Sequence, residues 1–324
     1  MGENSKIEWT THTFNPWIGC TKVSPGCANC YAEREMDHRH GKAKWGKGNP
    51  RTRTAPSTWA QPLKWDRAAA KAGRRDRVFC ASLADVFDPE VPIGWLADLF
   101  VLIEKCRNLD WLLLTKRPEL IMSRIQDAHI SIEGIVESWD EKDGQEPCCP
   151  ASDMLNDWEE SPPAHVWIGT SVEDQKRAEE RIPHLLAVPA TKHFLSCEPL
   201  LGLLDLAKIH TGETCEECTE PVTRDAFSSS VSCACCVEGP EAIESERLAW
   251  VIVGGESGPS ARSTELHWVR SLRDQAVDAG CAFHFKQWGE WCPAPSDPDG
   301  QNVRVGKSAA GRLLDGRTWD EVPA

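Results

Sequence analysis

The chain has 324 residues and a formal net charge of −14, with 40% hydrophobic and 27% charged residues. This composition is ordinary for a soluble globular protein, and the length suits a single (β/α) barrel that carries insertions. No apolar run approaches the roughly 18–20 residues that span a bilayer, and the N-terminus lacks the apolar stretch of a signal peptide. We therefore expect a cytoplasmic protein without membrane association, and the acidic charge argues against a protein that coats nucleic acid non-specifically.

Short apolar runs rich in β-branched residues alternate along the chain with amphipathic stretches. A weak strand is predicted within 7–14, and stronger ones at 77–83, 110–117, 165–172, 192–198, 248–256 and 281–288. Helices are predicted at 92–106, from 118, from 173 and at about 264–279. This alternation indicates a parallel sheet covered on both faces. The predicted fold class is α/β, a partial or complete (β/α) TIM-like barrel. A doubly wound open sheet is the alternative, although no dinucleotide or Walker fingerprint favours it.

We assign the barrel domain to residues 1–292. Within it, two stretches interrupt the alternation of predicted strands and helices. Residues 127–163 are acidic and weakly periodic, as expected of a surface insertion. Residues 207–247 form a small cysteine-rich insertion, and 293–324 are predicted to be a loosely ordered C-terminal tail with a short hairpin around Arg304 and Leu313.

Polar side chains collect where the predicted strands end. In a parallel barrel these ends converge on the face where active sites are built, although strand ends are also polar because they approach solvent. The residues are Ser82, Asp85, Thr115, Lys116, Arg117, Thr170, Ser171, Glu173, Asp174, Ser196, Glu198, Glu256, Ser257, Lys286 and Gln287.

A three-cysteine loop follows the first predicted strand. Fifteen cysteines in a long chain without an export signal are better explained as reduced thiols, some of them metal ligands, than as disulfides. Cys20, Cys27 and Cys30 are separated by six and then two residues, with Gly19, Pro25 and Gly26 supplying tight turns. Three thiolates can bind three irons of a [4Fe–4S] cluster and leave the fourth open, or join an outside ligand around zinc.

A second cysteine cluster lies in the insertion. Cys215-x-x-Cys218 and Cys233-x-x-Cys236 are separated by 14 residues, which fits a zinc-ribbon-like module with closed tetrahedral coordination. An insertion of this size is too small for a core of its own, so a metal would stabilise it. A second iron–sulfur cluster is the alternative.

The first loop resembles that of radical S-adenosylmethionine enzymes, through Asn15-Pro-Trp-Ile-Gly-Cys20 and Cys27-x-x-Cys30-Tyr-Ala. It looks closest to the branch related to spore photoproduct lyase, and more narrowly to a phage-associated family of uncharacterised proteins. That family also shares Ser-Cys-Glu-Pro-Leu-Leu at 196–201 and Gly-Gly-Glu-Ser-Gly at 254–258. One departure is that the usual radical-enzyme loop has three residues between its first two cysteines, whereas this loop has six.

The resemblance implies a [4Fe–4S] cluster whose unique iron binds S-adenosylmethionine. One-electron cleavage then gives a 5′-deoxyadenosyl radical, with the electron supplied by a donor such as flavodoxin or ferredoxin. The cofactor-binding candidates are Ser171, Glu173, Glu198, Gly254, Gly255 and Glu256. Glu198 and the Gly254-Gly255-Glu256 run resemble the strand end that accepts the methionine amino group. Lys116, Arg117 and Lys286 are the catalytic candidates, since they can pair with a carboxylate or phosphate.

The substrate class is predicted from the local charge and the aromatic content of the chain. Residues 34–77 carry 13 Lys and Arg against 4 Asp and Glu, and several of the 15 tryptophans lie near this segment or the loop. Both features favour a nucleic acid or nucleotide-like substrate. Two other functions stay open. One is a zinc-stabilised binding protein without redox chemistry. The other is a metal-dependent phosphoesterase that uses Asp85, Glu173, Glu198 and Glu256, although no HxH or DxH signature is present.

Overall fold

The protein is described from a computed structural model, and the description is of residues 5, 7–143, 149–215, 221–228, 230–232, 247–294 and 297–324. The strands in chain order are β1 (His12–Thr13), β2 (Trp17–Ile18), β3 (Thr52–Arg53), β4 (Asp76–Cys80), β5 (Leu109–Thr115), β6 (Val166–Ser171), β7 (His193–Cys197), β8 (Ile209–Thr214), β9 (Pro221–Arg224), β10 (Val231–Ser232), β11 (Leu248–Gly254), β12 (Ala282–Gln287), β13 (Trp291–Ala294) and β14 (Asp297–Arg304).

The α-helices are mostly longer than the strands. They are α1 (Tyr31–Glu33), α2 (Pro56–Trp59), α3 (Gln61–Ala72), α4 (Ile93–Lys105), α5 (Ile121–Asp143), α6 (Pro150–Asn156), α7 (Gln175–Leu186), α8 (Leu266–Asp278) and α9 (Lys307–Ala310). Two 3₁₀ turns (Pro25–Cys27 and Pro118–Leu120) and a π-helical stretch (Arg34–Arg39) complete the helical elements. None of the described helices combines the length and apolar composition that crossing a bilayer requires.

The fold is mixed α/β and is organised by a seven-stranded parallel sheet curled into a half-barrel. The strand order is β1-β4-β5-β6-β7-β11-β12, so chain order is kept along the whole sheet. The predicted α/β class and partial barrel are therefore confirmed. All seven predicted strands are present, including the weak first one, which is reduced to two residues.

The chain divides into two compact units, and the first comprises residues 1–21, 32–167 and 188–191. Here β1 pairs with β4, which pairs with β5, each in parallel. Helix α4 is strongly apolar and buries most of its length, including Leu96, Phe100 and Ile103. Phe100 meets the buried Trp158 edge-on. The stretch 127–163 contains the end of α5 and all of α6, and α6 packs against α4 and α5.

The second unit comprises residues 22–31, 168–187 and 192–324. Its strands β6, β7, β11 and β12 pair in parallel, and β13 and β14 form an antiparallel hairpin. Within 307–324, Leu314 is buried, and the Leu313 carbonyl accepts a 2.9 Å hydrogen bond from Trp288 Nε1. The Trp319 carbonyl accepts a 3.0 Å bond from the Phe285 amide.

Strands β8, β9 and β10 form a small antiparallel sheet within the predicted cysteine-rich insertion. Cys215, directly after β8, is partly buried and not in a disulfide. Cys218, Cys233 and Cys236 lie outside the described residues, so the zinc-ribbon-like module stays a prediction.

A substitution at Gly169 can test how tightly β6 and β7 pack in the second unit. This glycine lies opposite Phe194 in the β6–β7 pair, and a methyl group there would meet the buried Phe194 ring at 2.4 Å. We expect Gly169→Ala to lower the free energy of unfolding by about 1–3 kcal/mol because the ring has to leave its packed position. Chemical denaturation measures this change.

The matched control is Gly94→Ala in α4, where no atom lies within 4 Å of the new methyl group. This variant should be unchanged or up to about 1 kcal/mol more stable. Equal effects of the two substitutions would contradict the packing described at Gly169.

Candidate functional site

The segment that leads into the cysteine loop is fixed to the end of β4 by Asn15. This buried side chain accepts a 2.7 Å hydrogen bond from the Leu83 amide and donates a 3.1 Å bond to Ser82. The following Trp17 is fully buried, and Gly19 adopts a φ of +111°, a conformation that residues with a Cβ rarely adopt. The chain therefore reaches Cys20 on a fixed course within the first unit.

Cys20 lies beside a buried arginine. Arg117 Nη1 donates to Cys20 Sγ at 3.8 Å, and its Nη2 donates to the Thr21 carbonyl at 2.8 Å. The same Nη1 donates to Asp85 Oδ2 at 2.9 Å, and both side chains of this ion pair are 7% exposed. A guanidinium carries several donors in a fixed plane, so it can hold a thiol, a carbonyl and a carboxylate at once.

Asp85 holds this arginine in place. Its Oδ1 accepts hydrogen bonds from Thr115 Oγ1 at 2.6 Å and from the Phe87 amide at 3.0 Å, and its Oδ2 accepts one from the Lys116 amide at 2.9 Å. Asp85 thus joins the segment after β4 to the end of β5. Its lone pairs are already engaged by protein donors.

The charges around Cys20 act in opposite directions. Burial raises the pKa of the Cys20 thiol to about 12, Asp85 adds to this rise, and Arg117 opposes it. Burial lowers the pKa of Arg117, but Asp85 and Cys20 outweigh this effect and raise it above its ordinary value. The guanidinium therefore stays charged, while the thiol stays protonated unless a metal displaces its proton.

A second buried arginine lies beside Thr21. Arg51 Nη2 donates to Asp88 Oδ2 and to Thr21 Oγ1, at 2.7 and 2.8 Å, and both Arg51 and Asp88 are buried. It also pairs with Glu90, which accepts a 3.0 Å hydrogen bond from Thr21 Oγ1. This network supports the residue that follows Cys20.

In the second unit, a buried carboxylate holds the turn that contains Cys27. Glu173 is 1% exposed, and its Oε1 accepts a 3.0 Å hydrogen bond from the Gly26 amide. Its Oε2 accepts a 3.0 Å bond from Arg181 Nη1, which also donates to the Ser171 carbonyl at 2.8 Å. Glycine suits position 26 because a Cβ there would lie 3.0 Å from the Glu173 carboxyl carbon.

Glu256 holds the same loop from a second side. Its Oε2 accepts from Asn29 Nδ2 at 3.1 Å and from the Arg262 amide at 2.8 Å, and its Oε1 accepts from Arg262 Nη2 at 2.6 Å. Arg262 Nη1 also donates to the Pro25 carbonyl at 3.0 Å, and Asn29 donates to the Ser260 carbonyl at 2.7 Å. The residues on both sides of Cys27 are therefore fixed to the end of β11.

Burial raises the pKa of the Glu256 carboxyl group, but hydrogen bonds from Arg262 and Asn29 outweigh it and hold that pKa below its ordinary value. The pKa of Arg262 is raised by the same pairing. Glu256 is thus an ionised anchor.

Glu198 differs from these two carboxylates. Its Oε2 pairs with Lys286 Nζ at 3.1 Å, while its Oε1 is buried and has no hydrogen-bond partner among the described residues. Gly254 makes room for it, since a Cβ at this position would lie 2.2 Å from Glu198 Oε1. Gly255 is equally confined, because its Cβ would lie 1.8 Å from the Trp288 carbonyl oxygen.

The predicted site residues fall into two sets. The first unit holds Cys20, Lys116 and Arg117, and the second holds Cys27, Cys30, Ser171, Glu173, Glu198, Gly254, Gly255, Glu256 and Lys286. All three loop cysteines are partly buried thiols outside any disulfide. Among the residues that the structure describes, no three His, Cys, Asp or Glu side chains are grouped so that they could hold a metal ion.

Three residues that hold the loop, Arg181, Arg262 and Asn29, are not among those predicted from the sequence. Arg181 lies in a charged helix, α7, where an exposed face is the usual location for arginine, yet it is 5% exposed. Arg262 and Asn29 lie in irregular segments without periodicity. A buried carboxylate at a predicted strand end is the signal that could have found them, because such a charge needs a partner.

Nearly the whole chain matches a family model. Residues 4–323 match the family described as "Protein of unknown function (DUF5131)". No curated protein and no solved structure matches the chain.

Glu173 offers a test of how the loop is held. We expect Glu173→Ala to lower the free energy of unfolding by about 3–5 kcal/mol, because it leaves Arg181 buried without its counter-charge. The Gly26 amide should also lose protection from hydrogen exchange, since its acceptor is removed. Denaturant unfolding and amide exchange measured by mass spectrometry or NMR check both effects.

The control is Lys176→Ala, which breaks an exposed ion pair with Glu180 on the same helix. It should change the free energy of unfolding by less than about 1 kcal/mol and leave the Gly26 amide protected. Unchanged exchange at Gly26 in Glu173→Ala would show that this carboxylate does not hold the loop.

Proposed function

The chain belongs to the family of proteins of unknown function DUF5131, and from the residues of its site we propose that it is an iron–sulfur, S-adenosylmethionine-dependent radical enzyme. Its proposed substrate is a nucleic acid or a nucleotide-like molecule. The observation that carries this proposal is the three-cysteine loop, whose flanking residues are held by buried carboxylates and arginines.

The donor set suits a [4Fe–4S] cluster with one open iron. Three thiols lie within eleven residues, all three are partly buried, and none is in a disulfide. Thiolates are the ligands that such clusters use, and three of them leave one iron free for a cofactor. The proposal requires the three sulfur atoms to converge when the cluster binds, as metal sites commonly form together with their metal.

The cluster and S-adenosylmethionine would supply one-electron chemistry that removes a hydrogen atom from the substrate, with the electron delivered by a flavodoxin or ferredoxin. The protein supplies position and charge. Glu198 is the best candidate to bind the ammonium or ribose hydroxyl groups of the cofactor, because its buried Oε1 has capacity for a donor. Glu256 is a weaker candidate, since Arg262 and Asn29 already occupy both of its oxygens. Lys286 holds Glu198 and neutralises its charge.

Arg117 would act on the cluster through Cys20. A positive charge and a hydrogen bond at a ligating sulfur stabilise the reduced, more negative state of an iron–sulfur cluster. Asp85 serves as the positioning residue, because it orients the guanidinium that contacts Cys20 Sγ.

The alternatives explain the site less well. A phosphoesterase would use Asp85, Glu173, Glu198 and Glu256 as metal ligands. Three of these carboxylates already pair with an arginine, and Glu198 already pairs with Lys286. A zinc-stabilised binding protein accounts for the cysteines but gives no reason for a buried arginine beside Cys20 or for the unpaired oxygen of Glu198. Structural zinc at Cys215, Cys218, Cys233 and Cys236 is compatible with either function.

Metal analysis tests the first part of the proposal. After anaerobic reconstitution, the wild-type protein should be brown and contain about four irons and four sulfides beyond any zinc. We expect Cys27→Ala/Cys30→Ala to lose this iron and its visible absorbance, because two of the three ligands are gone. Reduction with S-adenosylmethionine present should release 5′-deoxyadenosine from the wild type and not from this double variant.

Cys292→Ala is the matched control, since Cys292 is also a partly buried thiol but lies outside the loop. It should keep the full iron content. The proposal would be wrong if the double variant retained wild-type iron, or if zinc filled the loop of the wild type under anaerobic conditions.

Arg117→Gln tests the role assigned to the arginine. This variant should keep its iron but show a more negative cluster reduction potential, because the positive charge beside Cys20 is removed. A redox titration followed by EPR measures the potential. Arg124→Gln, which removes a partly buried arginine that donates to the Val91 carbonyl, should leave it unchanged. An identical shift in both variants would contradict a specific effect at Cys20.

A further inference from the structure

The segment 38–75 in the first unit carries a concentrated positive charge. It contains eleven Lys and Arg residues and a single acidic residue, Asp66, so its charge is +10 while the rest of the chain carries −24. Arg51 is buried in the network beside Thr21. The other ten basic side chains are exposed, whereas Asp66 is half-buried and accepts hydrogen bonds from Asn108. Every exposed charge in the segment is therefore positive.

Half of these exposed charges have a carboxylate partner. The paired residues are Arg39, Lys44, Arg53, Arg74 and Arg75. The other five have no ion-pair partner within the described part of the chain: Lys42, Lys47, Lys64, Arg67 and Lys71. Helix α3 carries three of these five.

The geometry of α3 places its three unpaired cations on one side. Its buried residues, Pro62, Trp65 and Ala69, follow the three- and four-residue spacing of a single helix face. Lys64, Arg67 and Lys71 follow the same spacing two positions later, about 200° around the helix, so they face solvent. From Lys64 to Lys71 the helix rises about 10 Å, and one strand of a duplex presents about three phosphates over that length.

Solvated surface charge is the ordinary role of exposed lysines, but the one acidic residue among these cations, Asp66, is half-buried and accepts hydrogen bonds from Asn108, so no exposed carboxylate is interspersed with them. An anionic membrane is a poorer partner, because membrane-binding helices also insert large apolar side chains. None of the exposed large hydrophobic residues of the described chain lies within 38–75, and the residues between the α3 cations that face outward are alanines.

We propose that the exposed face of α3 formed by Lys64, Arg67 and Lys71 binds the phosphodiester backbone of a nucleic acid. Lys42 and Lys47 lie in a loop with glycines at 41, 46 and 48. Methyl groups added at Gly41 and Gly48 would meet no atom within 4 Å, so this loop also leaves space for the backbone of a nucleic acid. The binding itself does not depend on the radical chemistry. The consequence that the bound nucleic acid is the substrate rests on the proposed function.

The salt dependence of binding tests this inference. Fluorescence anisotropy with labelled 20-residue duplex DNA, single-stranded DNA and single-stranded RNA, from 50 to 200 mM salt, gives the slope of log K against log salt for each probe. Each phosphate contact contributes about −0.9 to this slope for a duplex and about −0.7 for a single strand. We expect Lys64→Ala/Arg67→Ala/Lys71→Ala to reduce the magnitude of the duplex slope by about 2.7, so the fourfold salt increase costs the variant about 40-fold less affinity than it costs the wild type.

Two variants make the result specific. Lys176→Ala/Lys208→Ala/Lys307→Ala removes three exposed cations from the second unit and should keep the wild-type slope. Lys64→Arg/Lys71→Arg keeps the charges on α3 and should also keep it. The probe with the steepest slope and tightest binding identifies the kind of nucleic acid.

The inference would be overturned if no probe bound the wild type more tightly than the α3 triple-alanine variant, or if both alanine triple variants lost the same slope. Stronger binding of the wild type to phosphatidylserine vesicles, lost in the α3 variant, would also overturn it in favour of a membrane surface. Because the assay needs neither iron nor S-adenosylmethionine, its failure is distinguishable from failure of the iron and 5′-deoxyadenosine assays.

Discussion

Glu173 places a negative charge where almost none of its surface reaches water, and the cysteine loop depends on how that charge is compensated. Such a carboxylate requires a counter-charge and hydrogen-bond donors, which Arg181 and the Gly26 amide supply. Meeting this requirement ties the turn that contains Cys27 to the end of β6. The orientation of helix α7 is fixed by the same interaction, because its Arg181 must face inward to reach Glu173.

A buried carboxylate also pairs with an arginine after two other strands. Asp85 pairs with Arg117 after β4, and Glu256 pairs with Arg262 after β11. In each case the planar guanidinium also binds a backbone carbonyl of the loop, at Thr21 or Pro25. Glu198 is the exception, because lysine is a point charge that leaves one carboxylate oxygen unbound. The carboxylates of Glu173, Asp85 and Glu256 are therefore suited to holding the loop. The carboxylate of Glu198 is suited to binding a ligand.

The sequence was sufficient to predict the sheet because its strands are buried on both faces. Runs such as that at 248–254 are apolar almost throughout, and the alternation with helices sets parallel pairing. It was also sufficient to single out the strand-end carboxylates. Their partners were not predictable, because Arg181, Arg262 and Asn29 reach them by folding and not by sequence proximity. Periodicity places an arginine on a helix, but the identity of its partner depends on which loop passes beside it.

In the sequence, Glu256 and Glu198 are equivalent, since each follows an apolar strand and is flanked by Gly or Pro. Only the positions of surrounding side chains distinguish them. Hydrogen bonds from Arg262 and Asn29 depend on the course of two loops, and an unpaired oxygen at Glu198 depends on the space left by Gly254. Neither the hydrogen bonds to Glu256 nor the unpaired oxygen of Glu198 can be predicted from the residues next to them in the sequence.

Gly254 and Gly255 bear on how evolutionary comparisons of this family should be read. The first is confined by the carboxylate of Glu198 and the second by the backbone carbonyl of Trp288, so a side chain at Gly255 collides with backbone, whereas one at Gly254 collides only with the end of the Glu198 side chain. Purifying selection would keep Gly255 even in a homologue that had lost every ligand, and would keep Gly254 only together with Glu198. Invariance of Gly255 across an alignment would therefore report steric exclusion, and joint variation at Gly254 and Glu198 would be the more informative sign that activity had diverged.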